Sequence, residues 1–349
     1  MTLIVMKTLE RVYKNYYFII RGYFMKTYDV VALGELLIDF TENGFSEQNN
    51  GMFEANPGGA PCNVLAMLRK FGKKTAFIGK VGQDMFGSLL KHTLEELEID
   101  TSGLCIDEAV NTTLAFVHTA KNGDRDFSFY RNPGADMMLS ESDLNRKLLT
   151  DCRLFHFGTL SMTNEVCRNA TKTAVETAKN AGAFISFDPN IRETLWDDME
   201  DAKIQTAYGM SQCDILKISD NEIKWFTSIQ DYDKAAKYLY DKYNIPLILV
   251  SLGPDGSMAF YDNQCIYMPA CHMENTIETT GAGDTFMGCI LNYVLDHGLV
   301  LSGGQIYEML QIANAAAAFI TTRKGALRVM PEMEDIRRVV EATKIGKSQ

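Results

Sequence analysis

Residues 28–40 read YDVVALGELLIDF, an apolar run broken by Gly34. A strand with one wet face alternates apolar and polar residues, whereas a strand buried on both faces need not. The run therefore reads as an interior strand of a parallel sheet. The same texture returns in TAFIGKVG (75–82), LFHFGTL (154–160), AFISFDPN (183–190), DILKIS (214–219) and PLILVSLG (246–253). Polar or glycine residues follow where each strand would end. Between them, NVLAMLRKFG (63–72) and NEVCRNATKTAVETAKNAG (164–182) place apolar residues at helical spacing and close on Gly72 and Gly182, where a C-terminal cap belongs. Strand and helix alternate throughout, which predicts a doubly wound, mostly parallel α/β/α sandwich with its ligands at the carboxyl ends of the strands.

One segment departs from the alternation. TTLAFVHTAKNGDRDFSFYRN (112–132) holds two period-2 apolar runs around Asn122-Gly123, a strong hairpin signal. An isolated hairpin is marginally stable, so it is expected to pair with strands from about 40–57. Lid strands from 40–57 and 111–132 would then form a small β-sheet lid over the site. Its exposed edge would invite a second lid, hence a homodimer.

The chain has 349 residues and a formal net charge of -11, which argues against nucleic acid or an anionic membrane as partner, since both want a basic face. Its eight cysteines contain no CxxC pair and no histidine at ligand spacing, so they read as reduced apolar residues of a cytoplasmic protein. The first residues are interrupted by Lys7, Glu10, Arg11, Lys14 and Arg21 and hold neither a signal-peptide core nor a membrane span. Met25 directly precedes KTYDVVALGE, so residues 1–24 read as an extension of unknown role ahead of a domain at 25–349.

The chemistry concentrates in ETTGAGDTF (278–286). Glycines let successive N–H groups turn toward one point, and the helix that follows adds unpaired N–H groups and the positive end of its dipole. Such a corner binds phosphate. A carboxylate at its rim, Asp284, is electrostatically odd unless a proton must be removed there, as a hydroxyl attacking a phosphoryl group requires. The plainer reading makes Asp284 a helix N-cap. No GxxxxGK[ST] loop and no dinucleotide fingerprint occur, which argues against P-loop and Rossmann enzymes.

ETTGAGDTF resembles the C-terminal motif of the ribokinase-like (PfkB) carbohydrate kinases, and GGAPCNVLAMLRKFGKKTAFIGKVGQDMFG (58–87) resembles their N-terminal motif. RNPGADMML (131–139), FDPNIRETLW (187–196), LKISDNEIKWFT (216–227) and ANAAAAFITTRKGA (313–326) extend the likeness, most closely to fructokinases of bacteria and plants. That resemblance implies phosphorylation of D-fructose at O6 by ATP with Mg²⁺. It implies that Asp284 is the base and that the N–H groups of Gly281, Ala282 and Gly283 form an anion hole. It puts Asp39, Gly59 and Asn63 on sugar hydroxyls, Arg192 with Asn190 on sugar and phosphate, and Arg131 as a closing contact at the lid edge.

The same resemblance has Lys217, Ser219 and Glu222 organise the nucleotide's magnesium and its waters, with Ser219 standing where the family usually has Asn. Ser251, Gly253, Gly256 and Asn314 would contact the nucleotide. A potassium ion would lie beside the anion hole, held by Glu278, Thr280 and carbonyls near Arg323 and Gly325, although Glu278 replaces the family's Asp and is longer by a methylene. FSFYRN is also similar to the lid element of 2-keto-3-deoxygluconate kinases, with Arg131 available for a substrate carboxylate. A non-catalytic sugar-binding regulator on the same fold is the reading from a different class.

Overall fold

The computed structural model describes residues 26–119 and 125–346. The extension at 1–24 and the Asn122-Gly123 turn lie outside these residues. The opening run turns out to be two strands. Residues of β1 (Tyr28–Leu33) enter a central sheet, and β2 (Leu37–Phe45) enters a second, smaller one. Apolarity alone cannot separate the two: β1 is buried on both faces, while β2 begins buried and becomes exposed toward Phe45.

The second sheet adds β3 (Gly51–Gly58), β6 (Leu114–Thr119) and β7 (Arg125–Tyr130) in the order β3-β2-β6-β7. One of its faces carries an aromatic cluster. Phe40 stacks on Phe116 at 4.8 Å, and Phe53, Phe86 and Tyr130 meet this pair edge-on. The opposite face presents Asp39 and Phe129 to the site described below.

The central sheet also contains β4 (Thr75–Gly82), β5 (Asp100–Asp107), β8 (Cys152–Gly158), β9 (Phe184–Asp188), β10 (Ile215–Ser219), β11 (Leu247–Ser251), β12 (Ser257–Tyr261) and β13 (Gln264–Met268). Its order is β13-β12-β11-β10-β9-β8-β1-β4-β5. From β11 to β5 all neighbours are parallel, and β12 and β13 add an antiparallel edge. Chain order runs outward in both directions from β1, so the crevice beyond the carboxyl ends of β1 and β8 is the topological switch point where ligands collect.

Ten helices complete the described chain: α1 (Ala60–Lys70), α2 (Met85–Glu96), α3 (Arg146–Thr150), α4 (Glu165–Asn180), α5 (Met199–Gln212), α6 (Asp220–Thr227), α7 (Tyr232–Tyr243), α8 (Ala282–His297), α9 (Gly303–Ile320) and α10 (Met333–Gly346). The period of two along each strand splits its side chains between two cores. Val30, Ala32 and Phe77 join α1, α8 and α9 on one face; Val31, Leu33, Ile78 and Phe157 join α4, α5 and α7 on the other. Each fully buried phenylalanine or leucine contributes about 1.5–3 kcal/mol. This two-sided burial holds the strand ends, and therefore the site, in register.

Candidate active site

The N-terminus of α8 organises the site. Gly281 is its N-cap with φ 75°, a left-handed conformation natural to glycine, and a Cβ there would also lie 2.8 Å from that of Ala326. Asp284 is therefore the third residue of the helix and does not serve as its N-cap. It is buried, and Asn63 Nδ2 of α1 donates to its Oδ2 at 2.8 Å. Burial raises the Asp284 pKa, while the Asn63 hydrogen bond and the charges of Lys217 and Arg192 oppose the rise. The result is a carboxylate with increased proton affinity, aimed into a cavity. The Ala282 N–H is donated to the Thr279 carbonyl at 3.2 Å. One of the three N–H groups expected to form an anion hole is thus engaged within the protein.

A cavity of about 460 Å³ lies against Asp284. It gathers Asp39, Gly59, Asn63, Asn190, Arg192, Lys217, Thr280, Gly281 and Gly283, which are far apart in the chain. Asp39 reaches it from β2 of the second sheet, where it pairs with Asn56, rather than from the end of a first long strand. Sequence reasoning missed Glu35 here. Glu35 sits in the link between β1 and β2 and accepts the Ala60 N–H at 2.8 Å; burial pushes its pKa up to about 7. A charged residue inside an apolar run was the available signal.

The strand ends of the central sheet supply the next group. Lys217 Nζ of β10 lies 2.9 Å from Asp188 Oδ2 of β9, both side chains being buried. Burial by itself would discharge Lys217, yet the Asp188 and Glu222 carboxylates outweigh it and hold the ammonium above its ordinary range. Asn190, Arg192, Lys217, Ser219 and Glu222 line an adjoining cavity of about 280 Å³. Ser219 and Glu222 form a capping box at the start of α6. Glu222 accepts the Ile191 N–H at 2.7 Å and the Ser219 N–H at 2.8 Å. Both of its oxygens are occupied by protein donors, which suits contact with an ion through water. Among the described residues, no group of three or more acidic, histidine or cysteine side chains could hold a metal alone.

A third cavity, of about 500 Å³, opens on the other side of the turn. Ser251, Gly253, Gly256 and Asn314 line it together with Ala282 and Gly283. Sequence reasoning missed its largely apolar wall, which includes Met273, Phe286 and Ala317. Asn314 uses its amide on the protein: Oδ1 accepts from Ser257 at 2.8 Å and Nδ2 donates to the Met268 and Pro269 carbonyls, both at 3.1 Å. It shapes the wall more than it offers donors. Thr279 and Gly283 belong to this cavity and to the Asp284 cavity, so the two meet at the turn that opens α8.

Arg131 requires a correction. It lies just beyond β7, but its side chain is only 2% exposed and turns inward onto Asp136 at 2.7 Å, Thr163 Oγ1 at 2.8 Å and the Leu160 carbonyl at 3.0 Å. An unpaired buried guanidinium would be costly, and Asp136 five residues later removes that cost. Arg131 lines none of the three cavities and does not act as a lid-edge contact. Glu278 also has a partner: its Oε1 accepts the Gly325 N–H at 2.9 Å, tying the two loops expected around a monovalent ion. The Arg323 side chain points elsewhere, over the Phe319 ring.

A model of the pfkB family of carbohydrate kinases matches residues 27–333. The chain belongs to this family. Within it, the chain is 39% identical over 305 residues to a protein named "Probable fructokinase-2" of Arabidopsis thaliana, covering 86% of this chain and 92% of that one. Among solved structures, the fructokinase of Xylella fastidiosa with bound ATP superposes with a TM-score of 0.82 at 27% identity, covering 90% of this chain and 99% of that one. The fructokinase of Vibrio cholerae O395 in fructose, ADP and calcium ion bound form gives 0.79 at 26%, covering 89% and 99%. Membership of the pfkB family makes the protein an ATP:sugar phosphotransferase. No helix among the described residues is long and apolar enough to cross a membrane.

Proposed function

We propose that the protein is an ATP-dependent fructokinase that converts D-fructose to fructose 6-phosphate. The observation that carries this reading is the turn at Thr279 and Gly283, shared by a largely apolar cavity suited to a nucleoside and a polar cavity suited to a polyol, with Asp284 on the polar side. ATP in the first cavity brings its γ-phosphate to the N-terminus of α8, where Gly281 and Gly283 offer N–H groups. Fructose in the second meets Asp39, Asn63 and Arg192. The hydroxyl proton passes to Asp284, the hydroxyl oxygen bonds to the γ-phosphorus, and the bond from that phosphorus to the bridging oxygen breaks, its electron pair leaving with ADP.

Magnesium fits the cavity beside Lys217 through water on Glu222 and the nucleotide's own phosphates, where it would neutralise phosphate charge. A potassium ion is read between the loops at 278–280 and 323–325, whose oxygen donors suit it in kind. The 2-keto-3-deoxygluconate reading loses support because Arg131, its proposed carboxylate partner, is bound to Asp136. The regulator reading would tolerate loss of the base or of the glycines, and both are intact here.

The base is tested by Asp284→Ala. Fructose-dependent ADP release should fall on the order of 10²- to 10⁴-fold, with the fold retained by circular dichroism. A variant that keeps most of the wild-type rate would contradict the assignment.

A further inference from the structure

Asp188 ends β9 and Lys217 lies midway along the adjacent parallel strand β10, their side chains 5% and 9% exposed. Taking two charges out of water costs several kcal/mol per ion before pairing offsets it, and packing alone would be served as well by apolar residues. The pair also stands where electrostatics disfavours a cation. A Cβ built on Gly283 would lie 2.9 Å from Lys217 Nζ, so the ammonium rests on the first turn of α8, beside the positive end of that helix. The arrangement gains when an anion lies between the N–H groups and the ammonium.

Two further observations agree. Asp188 is the sole hydrogen-bond acceptor of Lys217 among the described residues, which leaves ammonium donors for a ligand. Asp188 Oδ1 is buried with no hydrogen-bond partner, so this carboxylate is committed through Oδ2 to Lys217 alone. Lys217 also lines both the Asp284 cavity and the cavity containing Ser219 and Glu222, and so stands on the path between them.

We infer that Lys217 is a catalytic residue whose ammonium stabilises the charge on the transferring phosphoryl group, and that Asp188 is the positioning residue that holds it over Gly283. The inference rests on the kinase reading of the site. As the sugar oxygen bonds to the γ-phosphorus and the bridging bond breaks toward ADP, the phosphoryl oxygens lie between the Gly283 N–H and Lys217 Nζ. The hydroxyl proton goes to Asp284, so Lys217 stays charged throughout. Steric room supports the assignment, because any side chain at position 283 would occupy the space that separates the two donors.

The test compares K217M with K217M/D188N. The single variant strands a buried carboxylate and can fail to fold; the double variant removes both charges at nearly constant volume. Calorimetry measures sugar and ADP affinity, and steady-state kinetics measures kcat and KM on whichever sugar the wild-type enzyme turns over, with sugar-free ATP hydrolysis measured in parallel. The double variant should bind sugar and ADP within about threefold of wild type and lose on the order of 10²- to 10³-fold in kcat, the cost of removing one preorganised donor. A kcat within threefold of wild type overturns the inference. So does a parallel loss of both affinities, which would make the pair an organiser of the pocket. A wild-type preference for another sugar would overturn the fructose reading and leave the role of Lys217 to be decided by the same kcat comparison on that sugar.

Discussion

Asp284 is the residue on which the proposed chemistry turns, and its environment predicts a pH signature. Burial raises its pKa, and the hydrogen bond from Asn63 pulls it back down. A base must be deprotonated to act, so kcat/KM rises with pH through the pKa of the free enzyme. Asn63→Ala removes a donor to the charged form, a bond worth about 1.5–3 kcal/mol, and should move the acid limb upward by about one pH unit or more. A pH–rate profile with an unmoved limb would show that Asn63 acts only on the sugar. Asp284 and Asn63 were legible because each lies in a short motif with glycines at fixed offsets. Their direct bond was not, since 221 residues separate them. Glu35 left one signal, a charge inside an apolar run, but that signal does not say what the carboxylate faces. Arg131 was misplaced because its sequence neighbours are lid strands while its partner, Asp136, lies beneath.

At the scale of elements, the first turn of α8 and the loops around it carry the argument. Gly281→Ala would force a left-handed conformation on a residue with a Cβ, at about 1–2 kcal/mol, and press that Cβ on Ala326. The expected outcome is a lower Tm together with a fall in kcat; an unchanged kcat would remove the turn from the transition state. The loops joined by Glu278 and Gly325 make a second prediction. If they hold a potassium ion, activity in potassium buffer should exceed that in tetramethylammonium buffer severalfold, and Glu278→Gln should shrink the difference. Equal rates in the two buffers would remove the ion from the site. Helix ends were readable from sequence: Gly72 and Gly182 both take positive φ just past a helix. The division of residues 28–40 into β1 and β2 was not, because both halves are apolar and only tertiary pairing tells them apart.

For the whole molecule, alternation of apolar strands and amphipathic helices was enough to predict the doubly wound sandwich, since a two-sided parallel sheet leaves that pattern in any sequence that forms it. The β6–β7 part of the second sheet was legible as a hairpin, whereas its partners β2 and β3 depended on knowing that a lone hairpin needs them. The separation of one polar and one apolar cavity at the turn holding Thr279 and Gly283 could not be read, because it arises from parts of the chain that meet only after folding. That separation is also what makes sugar choice the central question. Asp39, Asn63, Arg192 and Glu35 surround the polar cavity, and no feature of Arg131 offers a carboxylate a partner. The most direct measurement is kcat/KM for D-fructose, D-ribose and 2-keto-3-deoxygluconate with ATP and magnesium. The account predicts that fructose is preferred by at least about tenfold, roughly 1.4 kcal/mol of transition-state discrimination; preference for the keto acid would contradict it.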